Sequence, residues 1–299
     1  MTLVPFDDRD GWIWLDGRFV PWREAKVHVL THALHYGSAV FEGERMYDGQ
    51  IFELEAHTRR LFRSAELLDF DIPYTQNQVN RACEDACARN GLTDCYIRPI
   101  AWRGAEQLGV SALQTTIHMA IAVWAWPKYF DEAKRVKGIR LCWAKYRRPP
   151  ASAAPTSAKA VGLYMICTLS KNAAERAGYE DALMLDSDGF VAETTGANIF
   201  FVKDGALHTP RPDCFLDGIT RQTIVRLAKQ RGVAVIERRI TRDELNDFSE
   251  CFVVGTAAEV TPVGEIGEVK FTPGALTLPL SDAYENLVRT KTTVLEPIG

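Results

Sequence analysis

The sequence predicts an α+β fold in two domains, and three observations support this prediction. A proline-rich segment, residues 146–155, interrupts the chain near its middle. Two segments with helical periodicity, residues 55–68 and 79–89, lie before it. Asp-Gly pairs separate apolar runs at four places, namely residues 16–17, 48–49, 188–189 and 204–205. Helices and hairpins in both halves of the chain are typical of a mixed fold.

The Asp-Gly pairs predict β-hairpins, because both residues of a tight turn tolerate a positive φ angle. The first pair lies within Trp12–Val20, which has the pattern of a strand, a turn and a second strand. Further strands are predicted over residues 96–99, 116–126 and 251–255. We therefore expect much antiparallel sheet.

The predicted helices follow from apolar residues that recur at helical spacing. Asn90-Gly91 closes the second of the two N-terminal helices, as glycine does after many helices. In the second half, helices are predicted over residues 161–177 and 221–231.

Domain boundaries are expected at the proline-rich segment, because three prolines among small residues leave little to fold around. The segment is predicted to be a linker or an active-site loop. The predicted organisation is a small N-terminal domain over residues 1–147, a linker over residues 148–155 and a larger C-terminal domain over residues 156–299.

Composition argues against several classes of protein. Of 299 residues, 46% are hydrophobic and 25% are charged, which is the ordinary globular balance. A net charge of −4 gives no reason to expect a nucleic-acid partner. The first ten residues lack the pattern of a signal peptide, and the longest apolar run, residues 117–126, is too short to span a bilayer.

The seven cysteines are odd in number and scattered, which indicates reduced thiols in a cytoplasmic protein. Cys83 and Cys87 lie one helical turn apart, but no histidine pair stands near them at zinc spacing. We therefore predict that these thiols pack in the interior, and we predict no metal.

Lys159 stands among small, apolar and hydroxyl residues, with Tyr164 five positions later. Burial of such a lysine favours its neutral amine, which a Schiff base with a carbonyl compound requires. The simpler interpretation is an ordinary lysine in a loop of small residues.

Other segments carry weaker signals of an anion site. Residues 218–220, Gly-Ile-Thr, open a helix whose first amides can bind an anion, and residues 255–258 offer a second set of amides. Arg60 can add a fixed positive charge, although it can equally be a solvated helix residue. Glu193 lies among small and hydroxyl residues. Together with Lys159 and a phosphate cup, this carboxylate completes the set of groups that pyridoxal phosphate needs.

Over residues 12–263 the chain resembles the branched-chain amino acid aminotransferases of the pyridoxal-phosphate fold-type IV group. Six blocks in the order of that family carry the resemblance: His32–Gly37, Val40–Gly43, Tyr96–Pro99, Pro155–Ala160, Gly218–Arg221 and Gly255–Glu259. The resemblance implies a larger domain with a β-barrel-like core. It also implies pyridoxal 5′-phosphate as the cofactor.

By this resemblance, Lys159 is the Schiff-base lysine and the proton shuttle between the substrate Cα and the cofactor. Glu193 pairs with the pyridine nitrogen, and Tyr164 donates a hydrogen bond to the phenolic oxygen. The further cofactor-binding residues that it implies are Arg60, Gly218, Ile219, Thr220 and Thr256.

The resemblance also implies a substrate site. The amides of Thr256 and Ala257, with the Tyr96 hydroxyl, form the cup for the α-carboxylate, and Arg98 meets the distal carboxylate of glutamate or 2-oxoglutarate. The residues typical of branched-chain enzymes are Tyr36, Phe41, Gly43, Arg45, Tyr96 and Arg98. The implied apolar pocket consists of Phe41, Val110, Trp126, Tyr129 and Tyr164.

The activity implied is transamination of L-leucine, L-isoleucine and L-valine with 2-oxoglutarate, by a ping-pong route through pyridoxamine phosphate. The implied state is a homodimer or larger, with Tyr36 and Val110 acting across the interface. Three alternatives stay open: another fold-type IV activity (a D-amino acid or R-amine transaminase, or aminodeoxychorismate lyase), a non-enzymatic binding protein, and a lysine-dependent aldolase without the cofactor.

The chain departs from the family pattern in two places. Arg103 and Glu106 add charges to the loop before residues 108–110, and we expect them to pair with each other at the surface. An inward-pointing Arg103 would instead admit polar substrates. Residues 161–163, Val-Gly-Leu, replace a glycine-rich run that often follows the lysine.

Overall fold

The computed structural model describes residues 4–126 and 137–290. In the first part of the chain, an antiparallel sheet has the strand order β2-β1-β7-β6-β4-β5, with β3 also paired to β6. Its strands are β1 Trp12–Leu15, β2 Arg18–Pro21, β3 Ala39–Phe41, β4 Glu44–Tyr47, β5 Gln50–Ile51, β6 Cys95–Arg103 and β7 Ile117–Ala125.

Three helices accompany this sheet: α1 His32–Tyr36, α2 Leu54–Leu67 and α3 Gln76–Arg89. Thr75 and Gln78 form a capping box that fixes the start of α3. The apolar faces of α2 and α3 pack on the sheet, and the core contains Leu61, Cys83 and Ile97, which are fully buried. Burial of these faces, rather than helix propensity, holds the helices in place.

The second sheet has the strand order β10-β9-β8-β15-β14-β11-β12-β13, with β16 paired to β15. This open path makes a curled, half-barrel sheet. Its strands are β8 Ile139–Trp143, β9 Asp181–Leu185, β10 Val191–Thr194, β11 Asn198–Lys203, β12 Ala206–Thr209, β13 Val235–Glu237, β14 Glu250–Gly255, β15 Glu259–Ile266 and β16 Val269–Lys270.

The helices of this second part are α4 Met165–Arg176, α5 Ile219–Gln230 and α6 Thr277–Arg289, and a 3₁₀ turn over Val161–Tyr164 leads into α4. Helices α5 and α6 cover one face of the sheet. Phe200, Ile224 and Leu280 meet there in a buried apolar cluster. The apolar side of α5 therefore faces the sheet, and its N-terminus lies beside Asn198 at the start of β11.

The predicted α+β class is confirmed. All four Asp-Gly pairs connect antiparallel strands, and Asp16, Asp48 and Asp204 have φ angles of 46°, 48° and 50°. These left-handed angles are the ones that Asp-Gly turns tolerate. The predicted helices are also present, each with its ends within a few residues of the expected position.

The domain boundaries at residues 147 and 156 stay a prediction, but the strand pairing bears on them. Strand β8 lies before the proline-rich segment, yet it pairs with β9 and β15 of the second sheet. The chain therefore passes from one sheet to the other between β7 and β8, ahead of the predicted linker.

All seven cysteines are free thiols. Within residues 4–126 and 137–290, no group of three or more His, Cys, Asp or Glu side chains is arranged to hold a metal ion. None of the helices in these same ranges is long and apolar enough to cross a membrane.

Candidate active site

A cleft of about 770 Å³, part of it open to solvent, brings together residues from both parts of the chain. The segment after β3, helix α2, strand β10, the start of α5 and the turn after β14 all contribute to its walls. The predicted site residues that line it are Gly43, Arg60, Tyr96, Lys159, Tyr164, Glu193, Gly218, Ile219, Thr220, Thr256 and Ala257.

Lys159 is held in the cleft by its own backbone. Its N–H donates to Ser64 Oγ at 3.0 Å, and its carbonyl accepts from the Phe41 N–H at 3.1 Å. The side-chain Nζ donates to Tyr164 Oη at 2.9 Å. Both ends of this lysine are therefore fixed, and its amine points into the cleft beside a phenol.

The expectation that burial keeps Lys159 neutral is wrong for these side chains. Desolvation does lower the pKa of Lys159, but the interactions of its ammonium with Tyr164 and Glu42 outweigh it and raise the pKa. Burial alone therefore does not favour the neutral amine at Lys159.

Glu193 lies on β10, and its carboxylate faces the cleft. Burial raises the pKa of Glu193 to about 7, while Arg148 and Lys159 act in the opposite direction. Arg148 Nε lies 3.4 Å from Glu193 Oε1, and Asn198 Nδ2 donates to Oε2 at 3.2 Å. A buried carboxylate that lines the cleft can bind a protonated ring nitrogen.

Arg148 is a site residue that the sequence did not reveal. The predicted linker includes it, yet it is only 4% exposed and its guanidinium also contacts the Cys214 carbonyl and Cys167 Sγ. The one sequence signal for Arg148 was its place in a pair of arginines just before two prolines. This pattern did not indicate which residue Arg148 would contact.

The start of α5 forms the anion-binding end of the cleft. Gly218 is the N-cap, and the first helical bond runs from the Gln222 N–H to the Gly218 carbonyl at 2.9 Å. The amides before Gln222 are thus free of helical partners and can bind an anion. A Cβ at Gly218 would lie 2.3 Å from Asn198 Oδ1, so this close approach requires glycine.

Arg60 lies on α2 at the same cleft, but it is not a free cation. Its Nε and Nη2 bind the two oxygens of Glu42, a fully buried carboxylate. The three N–H groups that do not bind Glu42, two on Nη1 and one on Nη2, can meet an anion.

Tyr96 and two residues of the turn after β14, Thr256 and Ala257, line the same cleft. The Tyr96 hydroxyl accepts from Arg98 Nη2 at 3.1 Å. It sits so close to Gly43 that a Cβ there would lie 1.9 Å from the hydroxyl oxygen. The lack of a side chain at Gly43 therefore allows the Tyr96 ring to take this position. Any larger residue would collide with the ring, which explains why the Phe-Glu-Gly pattern ends in glycine.

Several predicted substrate residues lie behind or outside the cleft wall. Arg45 is buried and binds Glu259 instead. The centre of the Phe41 ring lies 4.9 Å from the centre of the Tyr164 ring. The Arg98 guanidinium lies 4.8 Å from the centre of the Phe41 ring. Trp126 packs 5.0 Å from Tyr96. Phe41 and Trp126 thus support the residues that line the cleft.

The remaining predicted pocket residues do not line the cleft of this chain. Tyr36 is 47% exposed and Val110 is 87% exposed, and neither is among the residues that line the cleft within one copy of the chain. Tyr129 lies outside the described residues.

The expected surface pair of Arg103 and Glu106 is wrong. Arg103 is only 8% exposed and donates to the carbonyls of Leu68, Asp69 and Ala112, because the end of α2 leaves carbonyls that need donors. Glu106 accepts from the Thr116 N–H at 2.9 Å. Arg103 therefore holds the loop against α2 and does not enter the cleft.

The cleft fits pyridoxal phosphate on the chemistry of its donors. A lysine amine, a buried carboxylate and a set of unpaired helix amides match an aldehyde, a ring nitrogen and a phosphate. Gly43 and Gly218 leave space where any side chain would collide with Tyr96 or Asn198.

The amino-transferase class IV family model matches residues 39–266, more than half of the chain. The branched-chain-amino-acid aminotransferase of Pseudomonas aeruginosa is 44% identical over 292 residues, which cover 95% of each chain.

Solved structures of the T.th. branched-chain amino acid aminotransferase are 41% identical and cover 95% of this chain and 96% of that one. They contain pyridoxamine 5′-phosphate (TM-score 0.92), N-(5′-phosphopyridoxyl)-L-glutamate (0.90) and 4-methylvaleric acid (0.90). Enzymes of class IV depend on pyridoxal phosphate. This chain belongs to the class IV aminotransferases, and within them to the branched-chain amino acid aminotransferase group.

Proposed function

We propose that this enzyme transfers the amino group of L-leucine, L-isoleucine or L-valine to 2-oxoglutarate, giving the branched-chain 2-oxo acids and L-glutamate. The observation that carries the proposal is the cluster of Lys159, Tyr96 and the 256–258 turn on a single cleft, with Arg98 bonded to Tyr96. The cluster combines an amine that can move a proton with donors for two carboxylates.

Pyridoxal phosphate, when bound, supplies a carbonyl that takes up the amino group and a ring that withdraws electrons from the substrate Cα. Glu193 would hold the ring nitrogen, and Tyr164 the phenolic oxygen. The free amides at the start of α5 and the outer edge of Arg60 would hold the phosphate. Lys159 Nζ would accept the proton from the substrate Cα and donate it to the cofactor carbon that takes up the amino group.

The substrate α-carboxylate would bind to the amides of Thr256 and Ala257 and to the Tyr96 hydroxyl. The apolar side chain would then point toward Phe41 and Tyr164, whose rings pack together. When 2-oxoglutarate replaces the branched acid, its distal carboxylate would meet Arg98. One pocket thus serves an apolar and an anionic side chain.

A homodimer, or a larger assembly, is part of the proposal. Exposed large apolar side chains in the first part of the chain support it, because exposed apolar surface marks interaction sites. They are Val29, Leu34, Tyr36, Leu108, Val110 and Leu113, which are 47% or more exposed. In such a dimer, Tyr36 and Val110 would complete the site of the partner. Seven free thiols support a cytoplasmic location.

Single-turnover reaction with L-leucine tests the proposal. The enzyme loaded with pyridoxal phosphate should convert one equivalent of L-leucine into its 2-oxo acid, with loss of the visible absorption band, and D-leucine should not react. Lys159→Ala should bind the cofactor but fail to react. Reaction with D-alanine or an R-amine in place of L-leucine would contradict the substrate class. 4-Methylvaleric acid, which has the leucine skeleton without the amino group, should bind without reaction.

A further inference from the structure

Glu259 has an unusual backbone. It is the first residue of β15 and has φ of 52°, a left-handed conformation that L-residues other than asparagine and aspartate seldom adopt. Such a conformation is unfavourable for a residue with a Cβ, so other contacts must hold it.

The side chain of Glu259 provides these contacts. Its Oε1 accepts from Arg45 Nη1 at 2.9 Å and from the Tyr47 hydroxyl at 2.8 Å. Both partners lie on β4 of the first sheet, whereas Glu259 begins a strand of the second. The carboxylate therefore joins the two sheets beside the cleft.

Arg45 is firmly placed for this role. Its side chain is 3% exposed, and its guanidinium lies 4.5 Å from the centre of the Tyr47 ring. In the strand register Arg45 is opposite Tyr96, whose hydroxyl faces the cleft. A charge-assisted bond to such a fixed donor is stronger than a neutral one and restricts the acceptor.

Glu259 also closes the turn that faces the cleft. It pairs with Gly255 as the last pair of the β14–β15 hairpin, so residues 256–258 form the connection between them. At the end of this turn, the Ala258 carbonyl accepts a hydrogen bond at 2.6 Å from Oγ1 of Thr261, which lies on β15. A shift of Glu259 would consequently move the amides of Thr256 and Ala257.

We propose that Glu259 is a positioning residue: by binding Arg45 and Tyr47 it fixes the turn whose amides hold the substrate α-carboxylate. The inference rests on the proposed function. It gives Arg45 an indirect role in place of direct substrate contact, and it explains why a strained, charged residue begins β15.

Calorimetric titration of the cofactor-loaded enzyme with 4-methylvaleric acid tests the inference. In Glu259→Gln the dissociation constant should rise about tenfold, which corresponds to the loss of one charge-assisted hydrogen bond. The affinity for pyridoxal phosphate should stay within about twofold, because the α5 amides and Arg60 are untouched. Arg45→Met should give the same rise, and the double variant should be no worse than either single variant.

Glu53 offers a matched control. It also has a left-handed φ, 53°, and it accepts from Arg226 of the second part of the chain at 2.6 Å. Its side chain is 27% exposed, against 28% for Glu259, but no residue within two positions of it lines the cleft, whereas Ala257 is two positions from Glu259. Glu53→Gln should bind the acid as the wild type does.

The outcomes separate the two proposals. If the wild-type enzyme does not bind 4-methylvaleric acid, the proposed function fails. If the wild type binds it and Glu259→Gln binds it equally well, the positioning role is refuted. An equal loss of acid and cofactor affinity in Glu259→Gln would also refute it, since that result indicates a general structural role.

Discussion

The guanidinium of Arg60 binds Glu42 through two nitrogens, with Nε 2.6 Å from Oε1 and Nη2 2.8 Å from Oε2. His57 Nδ1 lies 2.7 Å from the same Oε2. The cation at the anion end of the cleft is thus oriented by a carboxylate with no exposure to solvent.

Glu42→Gln should lower the free energy of unfolding by about 3 kcal/mol or more, because it leaves Arg60 buried without its counter-charge. Burial favours a higher pKa for Glu42, but Arg60 and His57 outweigh it and hold the pKa well below 4.5. Its contribution is therefore complete above pH 4.5 and is lost as the pH falls further. Denaturant titrations of both proteins between pH 3 and 8 measure the difference.

An exposed pair on the same helix is the control. Glu66 accepts from Arg63 at 3.0 Å, with both side chains more than half exposed. Glu66→Gln should change the free energy of unfolding by less than about 0.5 kcal/mol. Equal effects of the two substitutions would contradict the role given to Glu42.

Relative to its effect near pH 4.5, where it only alters a partner of Arg148, Glu193→Gln should stabilise the cofactor-free protein at pH 8. Burial raises the pKa of Glu193 from 4.5 to about 7, so the folded wild type loses stability as the pH rises through this range. The gain at pH 8 should be up to about 3 kcal/mol. Thermal or denaturant unfolding at both pH values measures it, and a gain at pH 4.5 that equals the one at pH 8 would rule out this cause.

Gly43→Ala should raise the KM for L-leucine and for 2-oxoglutarate by about tenfold, because the new Cβ displaces the Tyr96 hydroxyl that is proposed to bind their common α-carboxylate. Steady-state kinetics with both substrates measures this. Tyr96→Phe removes the hydroxyl without the collision and should give a similar rise. Unchanged KM values in both variants would show that Tyr96 does not bind the carboxylate.

Arg98→Met should separate the two substrates. The KM for 2-oxoglutarate should rise roughly 10- to 100-fold, since a charge-assisted bond to the distal carboxylate is lost. The KM for L-leucine should change by about threefold or less, because its side chain carries no charge. If both KM values rise equally, Arg98 acts only through its bond to Tyr96.

Local chemistry made much of this molecule predictable from its sequence. Asp-Gly turns fix hairpins through their own φ preferences, and the helices follow from periodic apolar residues. Lys159, Glu193 and the start of α5 each gave only a weak local signal, the resemblance to the family joined them into one site, and the structure brings them to one cleft.

Side-chain partnerships between distant segments were not predictable. Arg45 and Glu259 lie 214 residues apart, and Arg148 meets Glu193 from a loop that has no regular pattern. Such pairs depend on how the sheets and loops are placed relative to each other, which no local window of sequence contains. Arg103 was misassigned for the same reason, because its acceptors are carbonyls after α2 that a surface-pair rule ignores.

The position of β8 has a consequence for synthesis of the protein. This strand runs parallel between β9 and β15, and its partner Val263 follows Ile139 by about 120 residues. On the ribosome, the first sheet can form once residue 125 has emerged, whereas β8 must wait with one edge open until β15 arrives. A stalled or truncated nascent chain would thus expose this edge to other chains. The chain is therefore prone to aggregate in the time between synthesis of β8 and synthesis of β15.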